Sequence, residues 1–251
     1  MKRILLAVAV LCIIAAPAFA KTDIVIPPTW TGTNGQQQFK DFSRDLGLAI
    51  SYMPLATAEP LGNALPGFDI GIEATGVQID ANQQYWKDIE AASGGTVPST
   101  LPMPKLHVQV GLPILPIDLG FVYGEAPSTN IKYYGYELKW AILRGGVATP
   151  ALAVRGAYTT LSGVNELEIS TKSADIEISK GFAMFTPYAG YGMVWIDSKE
   201  KSTTVTLQDE SQNESKWYLG CKLTFFPFMN LVAEADFAKV NAYSLRLNLH
   251  F

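Results

Sequence analysis

The chain has 251 residues, of which 48% are hydrophobic and 17% are charged, and its formal net charge is −4. This mildly acidic balance argues against nucleic acid as a partner, because proteins that bind nucleic acid carry basic surfaces. Neither metal-ligand spacing nor a phosphate-binding glycine loop is present, so the sequence predicts no metal site and no cofactor.

The first residues have the pattern of a secretory signal peptide. Two basic residues precede an apolar run over residues 4–16, which is shorter than the roughly 20 residues that a membrane-spanning helix needs. Small residues then precede a cleavage position after Ala20. Residues 1–20 are therefore expected to be removed on export. The remaining chain has Cys221 as its one cysteine, which excludes an intramolecular disulfide.

From residue 68 onward, short segments alternate between apolar and polar residues and are separated by turn residues. Period-2 alternation predicts β-strands with one apolar face. No segment after the signal peptide has 18 consecutive apolar residues, which excludes helical membrane spans and permits a closed barrel. Ten strands are predicted, near residues 68–79, 105–112, 117–124, 131–142, 150–161, 166–179, 186–197, 217–225, 231–237 and 243–251.

The last of these segments has the clearest alternation. It resembles the C-terminal recognition strand of bacterial outer-membrane barrels, in which a terminal Phe closes an alternating strand that the assembly machinery reads. The resemblance implies a location in the outer membrane, with membrane lipid and the barrel assembly machinery as partners. The residues that carry it are Tyr243, Leu245, Leu247, Leu249 and Phe251.

The predicted fold is all-β: a transmembrane antiparallel up-and-down β-barrel of about ten strands over residues 67–251. Its connections support an orientation, since outer-membrane barrels alternate short periplasmic turns with longer external loops. Counting back from the last strand, the connection at 226–229 is tight, whereas those at 198–213 and 80–104 are long and fall on one side. The long loops are therefore expected outside the cell.

Residues 21–66 are predicted to form a periplasmic segment that contains an amphipathic helix, with Asn34 as N-cap and Gln37 at the capping-box position. Three placements are open: a plug in the lumen, a position on the inner leaflet, or packing under the barrel. Residues 47–52 also alternate, and a strand there would make the barrel twelve-stranded if another segment splits into two. The apolar positions of the helix are Phe39, Phe42, Leu46 and Ile50.

Charged residues of the strands are expected to face the lumen, because a Lys or Arg on the lipid face near the midplane costs about 2–4 kcal/mol. With three-residue turns between the last strands, Lys222 falls opposite Glu234, and Glu234 falls opposite Arg246. Glu73 and Asp69 are expected to join this charge ladder where the barrel closes. We interpret the ladder as a brace inside a narrow barrel, with a charge-selective constriction as the alternative.

The long loop at 80–104 is predicted to contain a helix over residues 81–92, capped by Asp80. The helix either folds into the mouth of the barrel as a lid or ligand site, or packs over the rim. Exposed aromatic residues favour packing. The candidate residues of the lid are Tyr85, Trp86 and Ile89.

The two histidines test for a catalytic site. His107 is predicted at the outer end of its strand and His250 at the periplasmic end of the last strand, which separates them by about the 25 Å height of the apolar band. Each is interpreted as a solvated rim residue. No Ser-His-acid set or carboxylate pair is evident, so no catalytic residue is predicted.

Three stretches, at residues 67–71, 147–156 and 185–190, resemble an uncharacterised family of proteobacterial outer-membrane proteins, which carries no assigned activity. A helix before a barrel is also loosely similar to long-chain fatty-acid transporters. The leading prediction is a narrow channel or transporter for small solutes, hydrophobic ones among them. The alternatives are a structural or surface-interaction barrel that displays its external loops and, third, an outer-membrane enzyme.

Overall fold

The computed structural model describes residues 23–251, and the predicted signal peptide lies outside the described residues. Within them are two helices, neither of which is long and apolar enough to cross a membrane. The helices are α1 (Gly32–Ile50) and α2 (Gln84–Ser93). The strands are β1 (Gly67–Gln78), β2 (Thr100–Gly111), β3 (Ile117–Glu125), β4 (Lys132–Arg144), β5 (Ala151–Ser162), β6 (Leu167–Ser179), β7 (Phe185–Glu200), β8 (Glu210–Phe226), β9 (Met229–Phe237) and β10 (Asn241–His250).

The strands close into one antiparallel barrel, in which each strand pairs with its neighbours in sequence and β1 pairs with β10. At this seam Glu73 lies opposite Arg246, and Asp69 lies opposite His250. The predicted ten-stranded up-and-down barrel with an N-terminal helix is confirmed. The competing short strand at residues 47–52 is not formed, because α1 continues to Ile50.

Inner and outer faces of the wall differ as the alternation predicts. On β8, Trp217 and Leu219 point outward and are 47% and 49% exposed, whereas Lys216 and Tyr218 point inward and are buried. The same division holds on β9 and β10. Closing the sheet pairs every strand with two neighbours, which is the way a β-structure satisfies its backbone in hydrocarbon. The outward-facing large side chains of β10 are Tyr243, Leu245, Leu247 and Leu249.

The strand ends define two rims. We call the end at which β1 begins and β10 ends the lower rim, and the opposite end the upper rim. The upper-rim loops are shorter than predicted, at residues 79–99 and 201–209, because the flanking strands extend further. Ser198 still pairs with Glu210, for example. Antiparallel backbone pairing continues through polar residues, so the hydropathy pattern underestimates strand length.

Residues 23–61, which we call the plug, occupy the lumen. The plug begins at the upper rim, where the Ile26 amide donates to the Glu166 carboxylate at 2.8 Å. Helix α1 lies in the upper part, with Gly47 against the Ile196 side chain. Residues 51–61 then descend to β1 at the lower rim. Of the three placements that the sequence left open for the helix, these contacts correspond to the one in the lumen.

The start of α1 also differs from the prediction. Its N-cap is Thr31, and neither a side-chain cap nor the predicted Asn34 cap is formed. Asn34 lies inside the first turn instead. The apolar face was placed correctly, because Phe39 and Phe42 are completely buried. Burial of this face against the barrel interior and α2, rather than a cap, therefore fixes the helix.

Candidate functional site: the plugged lumen

The descending part of the plug has no strand partner of its own, so the barrel wall supplies its hydrogen bonds. An extended backbone buried in a lumen needs such partners, since an unpaired buried amide or carbonyl group is costly. Inward side chains from β3, β4, β8, β9 and β10 meet this need. The donated bonds run from Lys216 to the Tyr52 carbonyl at 2.8 Å, from Lys139 to the Thr57 carbonyl at 2.8 Å, and from the Leu61 amide to Asp118 at 3.1 Å.

Leu55 is held on both sides of its peptide backbone. Its amide donates to the Glu234 carboxylate at 3.0 Å, and its carbonyl accepts from Arg246 at 3.2 Å. Its φ of 40° lies in the left-handed region, which costs of order 1–3 kcal/mol and persists where the surroundings impose it. The two charged partners therefore fix this turn of the plug inside the barrel.

The predicted charge ladder has a different register. Lys222 and Arg246 both lie opposite Val232, and Glu234 lies opposite Gly220 and Ser244, so both predicted pairings are wrong by two residues. A bulge near the end of β8 and a turn between β9 and β10 that is centred on Lys239 rather than Val240 shift the ladders. The five predicted residues do point inward. Asp69 joins the ladder where the barrel closes, since it pairs with Arg246 across the seam, whereas Glu73 pairs with Lys105 on β2.

A second set of contacts surrounds Tyr52 of the plug. The Tyr52 hydroxyl lies 2.7 Å from His107 Nε2, and His107 Nδ1 lies 3.5 Å from the Glu73 carboxylate. Lys105 pairs with the same carboxylate at 2.5 Å. His107 has no exposed surface, so its predicted role as a solvated rim residue is wrong. His107 is buried because its side chain lies on the inner face of β2 and because the plug covers it from the lumen side.

The two histidines are also closer than predicted. His107 lies opposite Gly71 and His250 lies opposite Asp69, both on β1. The Cα atoms of the two histidines are therefore separated by two strand spacings across the sheet and by two residues along it, which is a distance of about 12 Å. The prediction of about 25 Å assumed that His107 lies near the upper rim, whereas β2 begins at Thr100 and brings it lower.

Sequence analysis missed the largest charge cluster, which surrounds Arg155. Its guanidinium contacts Glu137 at 2.8 Å, Asp175 at 3.0 Å and Glu177 at 3.0 Å. The Tyr218 hydroxyl donates to Asp175 at 2.7 Å. The cluster links β4, β5, β6 and β8. The sequence contained one indication of this cluster: Arg155 is the single charged residue in the apolar segment 150–161. Its side chain had to point into the lumen, because an Arg on the lipid-facing side of a strand is destabilising.

At the upper rim, α2 packs on the plug. The Tyr85 hydroxyl donates to Asp45 at 2.8 Å, and the Trp86 ring contacts Phe42 with centroids 5.1 Å apart. Ile89 is buried beside them. Burial raises the pKa of Asp45 above its ordinary range, while hydrogen bonds from Tyr85 act in the opposite direction. Tyr85, Trp86 and Ile89 therefore pack against the plug at the upper rim.

The predicted helix boundary in this loop was wrong. Helix α2 begins at Gln84, with Gln83 as N-cap, and not behind Asp80. Asp80 instead accepts a hydrogen bond from the Asn82 amide at 3.1 Å, which forms a local turn before the helix. The Gln83 side-chain amide also donates to this carboxylate at 2.7 Å, and this bond, together with that from the Asn82 amide, lowers the pKa of Asp80. Asp favours such side-chain turns as strongly as it favours caps, so the sequence alone does not separate them.

Closed barrels with an apolar outer surface and inward-facing charges form the class of transmembrane β-barrels, and this chain has that architecture. Its lumen is filled by its own N-terminal segment. Among residues 23–251, no three His, Cys, Asp or Glu side chains are arranged to hold a metal ion.

No protein-family model and no curated protein matches the sequence. Among solved structures, the N-terminal β-barrel domain of Pseudomonas aeruginosa OprF is 13% identical, with a TM-score of 0.37 over 73% of this chain and 97% of that one. The KdgM porin in complex with disordered oligogalacturonate is 7% identical, with a TM-score of 0.36 over 74% and 99%. LpxR from Salmonella typhimurium is 10% identical, with a TM-score of 0.34 over 72% and 99%. These likenesses are too weak to support a functional conclusion.

Proposed function

We propose that this protein is a bacterial outer-membrane β-barrel whose lumen is closed by its own N-terminal segment, and that it acts in this state as a plugged scaffold that displays its upper rim at the cell surface. The assignment of the lower rim to the periplasm rests on its short connections, since the longest loops of such barrels are external. Outward apolar residues then contact membrane lipid, and β10 is the strand that the assembly machinery reads.

The observation that carries this proposal is the attachment of the plug backbone to charged side chains of the wall. Hydrogen bonds to charged groups contribute about 1.5–3 kcal/mol each. Displacement of residues 51–61 would break those to Lys139, Lys216, Glu234 and Arg246 together. Losing all four, about 6 kcal/mol at the lower end of that range, limits an open state to a population on the order of 1 in 10⁴.

Transport of small solutes, hydrophobic ones among them, stays a prediction that requires the plug to move. The absence of enzymatic activity likewise stays a prediction. The one cluster that combines a histidine with a carboxylate and a hydroxyl, formed by Tyr52, His107 and Glu73 among the described residues, is fully buried. A substrate has no access to it while the plug is in place.

Conductance across planar lipid bilayers tests the plugged state. We expect the processed protein to insert without reproducible conductance steps, and a variant that lacks residues 23–61 to give discrete steps. Removal of the plug exposes an interior lined by charged side chains, which admits ions. A matched control deletes residues 146–149 instead, which shortens an exposed lower-rim connection between β4 and β5 and leaves the hydrogen bonds of the plug in place; it should remain silent. Reproducible steps from the intact protein would contradict the proposal.

A further inference from the structure

A cavity of about 230 Å³ lies at the lower rim, between residues 55–61 of the plug and the barrel wall. At about 30 Å³ per water, it has room for roughly seven waters or one small solute. Partly exposed side chains form the mouth of the cavity, and buried side chains line its inner end. The mouth residues are Glu59, Lys222 and His250, and the deeper ones are Asn230, Arg246 and Asn248.

Lys222 differs from the other basic side chains inside the barrel. Each of the five that are buried in the described strands has a carboxylate oxygen within 3.1 Å, and these five are Lys105, Lys139, Arg155, Lys216 and Arg246. For Lys222 the distance to the Glu59 carboxylate is 3.8 Å, and its hydrogen bond is to the Thr57 hydroxyl at 3.2 Å.

An ammonium group carries three N–H donors. Its contact with Thr57 uses one of them, and the remaining two are left at the wall of the cavity. A half-buried ammonium with spare donors gains more from an oxyanion than one already paired, because charge-assisted hydrogen bonds are the strongest of their kind. Lys222 therefore supplies one half of an anion-binding site.

His250 supplies a second donor. The Thr224 hydroxyl donates to the Asn230 amide oxygen at 2.7 Å, which orients the amide so that its nitrogen donates to His250 Nδ1 at 2.8 Å. A nitrogen that accepts in neutral imidazole leaves the proton on the other ring nitrogen. His250 Nε2 therefore carries an N–H group, and this group has no partner among residues 23–251.

We propose that this cavity binds a small anionic solute, whose carboxylate or phosphate oxygens accept hydrogen bonds from Lys222 Nζ and His250 Nε2. The cavity lies inside the barrel wall and opens at the lower rim, so the ligand is a free solute that enters from the periplasm rather than a lipid headgroup. The site does not depend on whether the barrel conducts, because the ligand binds beside the plug.

Calorimetric titration of the detergent-folded protein with inorganic phosphate tests the site. Lys222→Met should weaken binding by about tenfold or more, since it removes the charge-assisted donor. Lys199→Met is the matched control, because Lys199 is an exposed lysine on β7 near the upper rim. The affinity of this variant for phosphate should stay within about twofold of that of the parent protein. A folding check by heat-dependent electrophoretic mobility accompanies each variant.

His250→Ala provides a second variant if Lys222→Met fails to fold, and it too should weaken phosphate binding. Equal affinities of the parent and both cavity variants would overturn the proposal, as would no binding at millimolar phosphate. A competition arm adds an anionic phospholipid to the detergent micelles. Displacement of phosphate by the lipid would overturn the assignment to a free solute, whereas unchanged binding supports it.

Discussion

The ring of Tyr218 lies against Gly190, its direct partner across the β7–β8 ladder: a Cβ added to Gly190 would stand 2.2 Å from the ring carbon that carries the hydroxyl. The relationship is reciprocal, because the Tyr188 ring covers Gly220 in the same way, at 2.0 Å. Both tyrosine hydroxyls then reach carboxylates, Tyr188 at Glu234 and Tyr218 at Asp175. Glycine at these positions therefore lets two large side chains lie flat along the inner wall.

Gly190→Ala should destabilise the barrel by about 1–3 kcal/mol, because the added methyl group forces the Tyr218 ring away from its carboxylate partners. The measurement is urea unfolding in detergent, followed by tryptophan fluorescence. Gly156→Ala is the matched control, since the nearest atom to its added Cβ lies 4.0 Å away. Equal losses in the two variants would mean that backbone freedom, and not contact with the ring, is what glycine provides.

Replacement of Arg246 by Met should cost about 3–5 kcal/mol of unfolding free energy, because it leaves the buried Asp69 carboxylate without its cation and the Leu55 carbonyl without its donor. Adding Asp69→Leu should recover part of the loss, since an apolar pair replaces an unpaired charge. The same denaturant titration measures all variants.

The surface control for this series is Lys172→Met. Lys172 pairs with Asp197 at 3.2 Å, but both side chains are well exposed, so the change should cost less than about 1 kcal/mol. A loss for Arg246→Met no larger than this would show that the seam is held by backbone pairing alone.

The barrel could be predicted from the sequence because each strand repeats one local rule, and the membrane imposes that rule on every outward residue. Lys216 and Trp217 had to face opposite sides whatever the partner strands were. The register could not be predicted, since it depends on the bulge near Thr224 and on turn length. A plug was one of the placements left open, but the path of residues 53–61 could not be predicted, because they neither alternate nor repeat and their partners lie on strands more than 50 residues away.

Mild acid should strengthen the contact between α1 and α2. Burial raises the pKa of Asp45 in the folded state, so that state binds a proton more readily than the unfolded chain. Stability then rises as the pH falls through the raised pKa and levels off below the unfolded value of about 3.9. Limited proteolysis of the loop at residues 79–99, measured between neutral pH and about pH 4, reports the effect with an acid-tolerant protease.

Asp45→Asn is the matched variant for this pH series. It keeps an oxygen that accepts from the Tyr85 hydroxyl and removes the titrating group. Its loop should be cut at a rate that varies little over the same pH range. If the parent loop is cut faster in mild acid, the carboxylate of Asp45 stabilises the contact in its charged form and the predicted sign is wrong.

Asp23 should be accessible at the cell surface. The Asn165 amide donates to its carboxylate at 3.2 Å at the upper rim, and the Val25 amide donates to the Ser93 hydroxyl at 3.0 Å, so the plug starts at the end of the barrel opposite to the start of β1. With the lower rim in the periplasm, this part of the chain lies at the outer side of the membrane. An epitope inserted before Asp23 should therefore be labelled by antibody on intact cells, whereas the same epitope inserted at residues 145–150, in a lower-rim connection, should be labelled only after the outer membrane is opened. The reverse pattern would invert the orientation and would place the cavity beside Lys222 at the outer surface.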